Sequence, residues 1–473
     1  MRDYKASLKN YYESEINLKN YSQNGSLKIA LGFPQTYSLG MASLGFQLVY
    51  DLFSQNSNTK AERFFLPDKN VSNIKSILTV ETQTPINFFD LIGFSLSFEL
   101  DYLNMLYILN SSQIPLLAKE RNESDPIIMA GGATCLINPF AISDFIDVFF
   151  MGDLEEAVDE IVSAFNETSR IDILKGLSEI EGIYVPNVSE QSNVKKRICN
   201  DLDKYDAFAP IITLYGEFGE TLLFETARGC NRGCYFCAAG QIQKPLRLRS
   251  PKIPKFKSYG IVGAAVFDNP NSLKLCKDFV NDGSKFSLSS LRLETLDEEK
   301  LEIMKNAGIK TVTIAPEAGT ESLRQAIGKP CSNEKIFSTL NKVTESGIRK
   351  IKLYFMIGLP YETNDDIIDI CGFLKKITMD FPKSYFSASI GCFVPKPCTP
   401  FAHMKINERK ELSIKINIIK SEVKKIKNLE IHSESPRMAH VQYILSHANS
   451  NEGKSFLLNS LNEGYSYAIK NMQ

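Results

Sequence analysis

From Leu27 onward, short apolar runs alternate with longer mixed segments, at residues 27–33, 90–95, 126–132 and 148–152. Each run ends near glycine or serine and is followed by an amphipathic stretch, which predicts parallel strands joined by crossover helices. Residues 27–200 therefore read as a doubly wound, Rossmann-like α/β domain, preceded by an extension over 1–26. Ligands of such sheets lie at the carboxyl ends of the strands, which makes Gly40, Ser95, Ser97, Gly131, Gly132 and Gly152 candidate contacts; ordinary tight turns are the equal alternative. A polar stretch over 201–219, with Pro210, Gly216 and Gly219, reads as a linker. Strands recur at 221–225, 260–266, 286–292, 310–315, 350–357 and 386–394, with helices expected over 297–307 and 333–346. Six β/α units over 220–402 predict a partial (β/α)6 barrel of TIM type, whose sites lie on the loops after the strands. Beyond 402 the period changes: Leu412, Ile416, Ile419, Val423 and Ile426 form one stripe of an amphipathic helix, and 403–473 reads as a small helical region.

At 473 residues the length suggests about three domains. Apolar residues at 43% and charged residues at 23% are the balance of a globular protein, and no run reaches membrane-spanning length. A net charge of −1 gives no global attraction to nucleic acid. The first residues lack the apolar core of a secretory signal, so the expected location is the cytoplasm. In that reducing compartment the ten cysteines read as thiols or metal ligands rather than disulfides.

Three of them, Cys230, Cys234 and Cys237, stand at Cys-x3-Cys-x2-Cys spacing directly after a predicted strand. Gly229 and Gly233 give that loop backbone freedom. Three thiolates with no fourth cysteine nearby suit an iron–sulfur cluster with one iron left open. A closed zinc site is the competing reading; it needs a fourth ligand, yet the next cysteine is Cys276 and the first histidine is His403. The remaining seven cysteines read as small buried hydrophobes. After the loop, Lys244, Arg247, Arg249, Lys252, Lys255 and Lys257 form a basic stretch that either meets a carboxylate, a phosphate or the acidic face of a reducing partner, or is simply solvated.

The loop resembles that of the radical S-adenosylmethionine (SAM) enzymes, in which it binds a 4Fe-4S cluster whose open iron is chelated by SAM. Phe236 matches the family's aromatic before the third cysteine, Pro316-Glu317-Ala318-Gly319 its strand-end glutamate, and Ile357-Gly358-Leu359-Pro360 with Glu362 and Thr363 a later loop. The resemblance implies that Glu317 and Ser289 contact SAM. Where many members carry Gly-Gly-Glu, this chain reads Gly263-Ala264-Ala265. The N-terminal half is similar to the cobalamin-binding domain of one large subclass, on Phe94-Ser95-Leu96-Ser97, Ala130-Gly131-Gly132 and Met151-Gly152-Asp153-Leu154-Glu155-Glu156. Residues 32–45, Ala61-Glu62-Arg63, Asn138-Pro139 and the Phe393 to Pro397 segment look like a poorly characterised branch of it. No histidine precedes His403, so a cobalamin bound here would lack that axial ligand. The resemblance implies reductive SAM cleavage to a 5′-deoxyadenosyl radical, an electron donor of flavodoxin or ferredoxin type, and cobalamin-dependent methylation of an unactivated carbon, with Tyr354, Phe355 and Phe393 shielding the radical. Two alternatives stay open: radical chemistry without methyl transfer, as rearrangement, ring closure or modification of tRNA or protein, and a zinc-stabilised binding module.

Overall fold

Strand Leu27–Thr36 is buried along almost its whole length because its residues are apolar on both faces. It lies between Thr59–Leu66 and Leu91–Ser95 in a six-stranded sheet that continues through Ile127–Gly131, Val148–Phe150 and Ile183–Tyr184. Every pairing is parallel except the last. The sequence neighbours of the first strand thus sit on opposite sides of it, and the chain switches direction across the sheet between Leu27–Thr36 and Leu91–Ser95. This is the open doubly wound sheet that the hydrophobic pattern predicts.

The computed structural model describes residues 2–22, 24–68, 74–188 and 194–471. The chain divides into two compact units, the first of Met1–Phe224, Pro251–Ile253 and Ile444–Gln473, the second of Glu225–Ser250 and Pro254–Tyr443. The segment read as a linker carries strand Ile211–Ile212, paired antiparallel with Ile16–Asn17, and Ala207, Phe208 and Ala209 are buried.

The last two helices, Ser450–Glu463 and Tyr465–Asn471, belong to the first unit. Helix Ser450–Glu463 starts with a reciprocal cap between Asn449 and Glu452. Asn138 Nδ2 donates to the Ala448 carbonyl at 2.9 Å, and Ser446 Oγ donates to Glu99 at 2.8 Å. Gly453 is buried, and a Cβ there would stand 2.0 Å from the Ala141 carbonyl oxygen. Gly453→Ala is therefore expected to push this helix off the sheet domain, at a cost of about 1–3 kcal/mol. Earlier proteolytic release of the C-terminal fragment, with a lower denaturation midpoint, is the measurement.

In the second unit, Ser258–Val262 pairs parallel with Lys285–Leu288. A four-stranded parallel sheet runs in the order Thr311–Glu317, Lys350–Ile357, Tyr385–Cys392 and Leu429–Ser433. Burial alternates along the first three of these strands, with the buried side chains packed under helices Asn333–Glu345, Asn364–Asp380 and Arg409–Val423. The opposite face is open and carries Lys352, Tyr354 and Ser389. All six strands expected for the barrel lie in these two sheets, Leu222–Glu225 beside Ser258–Val262 in the first, and Leu429–Ser433 is a further strand within the helical C-terminal region.

Candidate active site

The loop of the three cysteines is clasped at its base. Immediately after strand Leu222–Glu225, Ala227 and Arg228 pair antiparallel with Leu248 and Arg247. Glu225 accepts from Arg228 through both carboxylate oxygens at 3.1 Å and from Arg249 Nη1 at 3.0 Å. Burial alone would raise the Glu225 carboxyl, but the two arginines outweigh it and hold the group below the usual range. Asn269 Nδ2 donates to the carbonyls of Thr226 and Arg249, both at 2.8 Å. Gly229 has φ of +91°, and a Cβ there would run into the Gln243 carbonyl at 2.3 Å. Arg247 and Arg249 are thus buried parts of the clasp, whereas Lys255 is exposed and pairs with Asp282 at 3.6 Å.

Within the loop all three cysteines are half-buried. Cys237 Sγ accepts from the Gly240 N–H at 3.3 Å, capping the short helix Ala238–Ile242. Arg292 Nη2 donates to Cys230 Sγ at 3.7 Å. The Cys234 thiol is raised by burial, Lys329 opposes that rise, and Cys237 and Cys230 add to it, so the three sulfurs lie within electrostatic reach of one another. The Tyr235 N–H donates to the Ile327 carbonyl at 3.0 Å, tying the loop to the segment that follows Glu317.

Among the described residues no three His, Cys, Asp or Glu side chains converge on the position of a single metal ion. A cubane offers each thiolate a different iron corner, so a cluster does not require such convergence, whereas a closed tetrahedral zinc site does. Three softly basic sulfur donors, two of them already receiving N–H hydrogen bonds, fit an iron–sulfur group.

Around the loop, Phe236 packs against Ala318, Leu323, Ile327, Leu359 and Phe393. Glu317 ends its strand at φ of +67°, an unusual conformation for a non-glycine residue, just after a register shift that pairs it with Phe355. Lys329 Nζ lies 2.7 Å from its carboxylate; burial raises the Glu317 carboxyl and Lys329 opposes the rise. Ser289 Oγ accepts from the Gly263 N–H at 3.1 Å and donates to the Gly263 carbonyl at 3.0 Å, which fixes the segment that departs from Gly-Gly-Glu. Phe355 and Phe393 are core residues, while Tyr354 is exposed on the open face of its sheet.

In the first unit, Ser95 and Gly131 are register partners at adjacent strand ends, and the Leu96 N–H donates to the Gly131 carbonyl at 2.8 Å. Gly132 follows at φ of +108°, exposed. Ser95, Gly131 and Gly132 thus come together at one edge of the sheet. Gly152 follows the next strand, whose Phe150 is the register partner of Gly131, and Gly40 lies in the short helix Tyr37–Met41 after strand Leu27–Thr36. A Cβ on Gly40 would meet the Phe65 ring at 2.2 Å, one on Gly152 the Arg197 carbonyl oxygen at 2.1 Å, and one on Gly132 the Leu96 carbonyl oxygen at 2.5 Å, so all three glycines are closely packed. Pattern reading missed Arg292, Lys329 and the Glu225 clasp, and nothing in the local spacing marks them.

Residues 224–374 match the radical SAM superfamily, and residues 45–186 match the N-terminal domain of radical SAM proteins. The chain is a radical SAM protein. It is 29% identical over 441 residues to an uncharacterised protein of Methanocaldococcus jannaschii, covering 90% of each chain. It is 22% identical over 282 residues to an uncharacterised methyltransferase of Pyrococcus horikoshii, covering 56% of this chain and 61% of that one. Among solved structures, the radical S-adenosylmethionine methyltransferase TsrM of Kitasatospora setae, with cobalamin and a 4Fe-4S cluster bound, superposes with a TM-score of 0.54 at 13% identity, over 80% of this chain and 74% of that one. OxsB, a cobalamin-dependent S-adenosylmethionine radical enzyme with aqua-cobalamin and SAM bound, gives 0.54 at 13% identity over 94% and 72%. At these identities the likeness is one of fold. No helix among the described residues of this radical SAM protein is long and apolar enough to cross a membrane.

Proposed function

We propose that this radical SAM enzyme carries out cobalamin-dependent methylation of an unactivated carbon. The observation that carries the reading is the combination, in one chain, of the clasped three-cysteine loop with an N-terminal parallel sheet of the kind found in TsrM and OxsB. The name of the Pyrococcus relative supports methyl transfer.

Cys230, Cys234 and Cys237 hold the cluster. Glu317, fixed by Lys329, and Ser289, fixed by Gly263, stand beside it as contacts for SAM. Ser95, Gly131 and Gly132 line the strand ends next to the switch point, the position at which doubly wound sheets generally take a ligand. A Cβ on Gly131 would meet nothing nearer than the Phe150 carbonyl oxygen at 3.6 Å, whereas one on Gly132 would stand 2.5 Å from the Leu96 carbonyl oxygen. When bound, cluster and SAM supply a carbon radical and cobalamin supplies the methyl group. The protein's own work is to position and to exclude water. Phe236, Phe393 and Phe401 form the apolar wall for that purpose. Exposed Arg232 on the loop offers positive charge to a small acidic electron donor of flavodoxin or ferredoxin type.

Purification without oxygen, followed by iron, sulfide and corrinoid assays, tests the reading. The expected result is an iron–sulfur absorbance together with bound cobalamin that takes a labelled methyl group from SAM. Iron–sulfur absorbance with no cobalamin after reconstitution would leave radical chemistry and remove methyl transfer.

A further inference from the structure

Arg292 is placed to act on the cluster without touching the reacting atoms. Its Nη2 lies 3.7 Å from Cys230 Sγ, and Nε of the same guanidinium lies 3.4 Å from Oδ2 of Asp268. Both side chains are largely shielded from solvent, 13% and 17% exposed. Three successive loops meet at this point. Cys230 follows strand Leu222–Glu225, Asp268 follows Ser258–Val262 and Arg292 follows Lys285–Leu288. Each anchor has its backbone fixed: the Asp268 N–H donates to the Ala265 carbonyl at 3.0 Å, and the Arg292 carbonyl accepts from the Thr295 N–H at 3.2 Å and from its hydroxyl at 3.0 Å. Asp268 therefore tethers one edge of the planar fork while the other edge is aimed at sulfur.

We infer that Arg292 is a positioning residue that holds the Cys230 thiolate and raises the reduction potential of the cluster bound there. The inference rests on the cluster reading above. The reduced cluster carries one more negative charge than the oxidised one, and more of that charge falls on its sulfurs. A fixed cation and an N–H···S hydrogen bond stabilise the reduced form more, so they move the potential upward. Arginine suits the task because its charge persists at any working pH and its fork can bond Asp268 and sulfur together. Shielding from water keeps the effect from being screened away. The Gly240 N–H on Cys237 acts in the same direction with a neutral dipole.

The test uses the full chain reconstituted without oxygen, as wild type, Arg292→Met and Arg292→Lys, with Lys257→Met as a control at an exposed site away from the loop. Iron and sulfide are counted first, and the clusters are then titrated with dithionite and mediators in the absence of SAM, with the reduced form read by electron paramagnetic resonance. At the potential where the wild type is half reduced, the ratio of reduced to oxidised cluster is expected to fall about tenfold in Arg292→Met, a shift of about 59 mV for one electron. Arg292→Lys should recover part of it and Lys257→Met should follow the wild type. An Arg292→Met protein with full iron content that titrates with the wild type would overturn the inference. So would loss of the cluster from both Arg292 variants, which would make the residue purely structural. Absence of iron–sulfur absorbance in the wild type would instead refute the cluster reading itself, at a step before any substitution.

Discussion

Alanine at Cys230, at Cys234 or at Cys237 is expected to reduce 5′-deoxyadenosine formation from SAM to the level of protein without iron. Each thiolate in a three-ligand set carries one corner of the cluster, and the loop between residues 229 and 246 has no spare cysteine to replace it. The cysteines elsewhere behave differently. Burial pushes the thiols of Cys135, Cys276 and Cys392 up to about 12, which leaves almost no thiolate to bind a metal near neutral pH. Cys276→Ala is thus the matched control, since it removes a buried thiol of the same unit and should retain iron and SAM cleavage. Chromatography of the quenched reaction, with iron assayed on the same samples, separates loss of cluster from loss of fold. Turnover above background in any one of the three loop variants would sink the ligand assignment.

The sequence made the cysteine loop legible because its chemistry is local: three ligands, their spacing and the glycines that allow the turn all lie within one short stretch. Strands such as Leu27–Thr36 and Ile127–Gly131 were legible for a related reason, since burial on both faces leaves an unbroken apolar run. Thr59–Leu66 was not, although it is as deeply buried. Glu62 and Arg63 sit in its middle and break the run; Arg63 pairs with Glu15 and Glu81, while Glu62 pairs with Lys60 and accepts from the hydroxyls of Thr79 and Thr82. Leu429–Ser433 was missed because its alternating apolar and polar residues are all at least partly exposed and follow a long helix. The packing of the C-terminal helices on the first unit depends on Gly453 meeting Ala141, more than three hundred residues away in sequence, and no spacing encodes that.

The same limit governs the remainder of the site. Gly40, Gly131 and Gly152 are indistinguishable as letters, and only what lies opposite them separates an open strand end from a position filled by the Phe65 ring or the Arg197 backbone. Ser289 was identifiable by resemblance, yet its hydroxyl is committed to Gly263 on both its donor and acceptor sides. Arg292 and Lys329 reach the cysteine loop and Glu317 from elements far along the chain, so their places follow from topology and not from motif.

Arg63→Met is expected to be among the most destabilising single substitutions in the first unit. Its side chain is 1% exposed and lies between two carboxylates: Nη1 and Nη2 reach the two oxygens of Glu15 at 2.9 and 2.7 Å, and Nε reaches Glu81 at 2.7 Å. The Tyr50 ring covers the guanidinium at 4.9 Å, and the Tyr37 hydroxyl donates to Glu15 at 2.6 Å. Removing the one cation leaves two buried carboxylates facing each other, a loss of roughly 3–5 kcal/mol. That is a large part of the stability of an ordinary domain. The attraction within such a triad is offset by the cost of desolvating three charges, so the neutral triple variant Glu15→Gln, Arg63→Met, Glu81→Gln should be more stable than Arg63→Met alone, with the amide oxygen introduced at position 15 still accepting from Tyr37. Denaturant midpoints of the two proteins decide the matter. A triple variant less stable than the single one would mean that the carboxylates of Glu15 and Glu81 are held well enough by the Tyr37 hydroxyl and the N–H of residue 63 that their unpaired charge is not the cause of the loss.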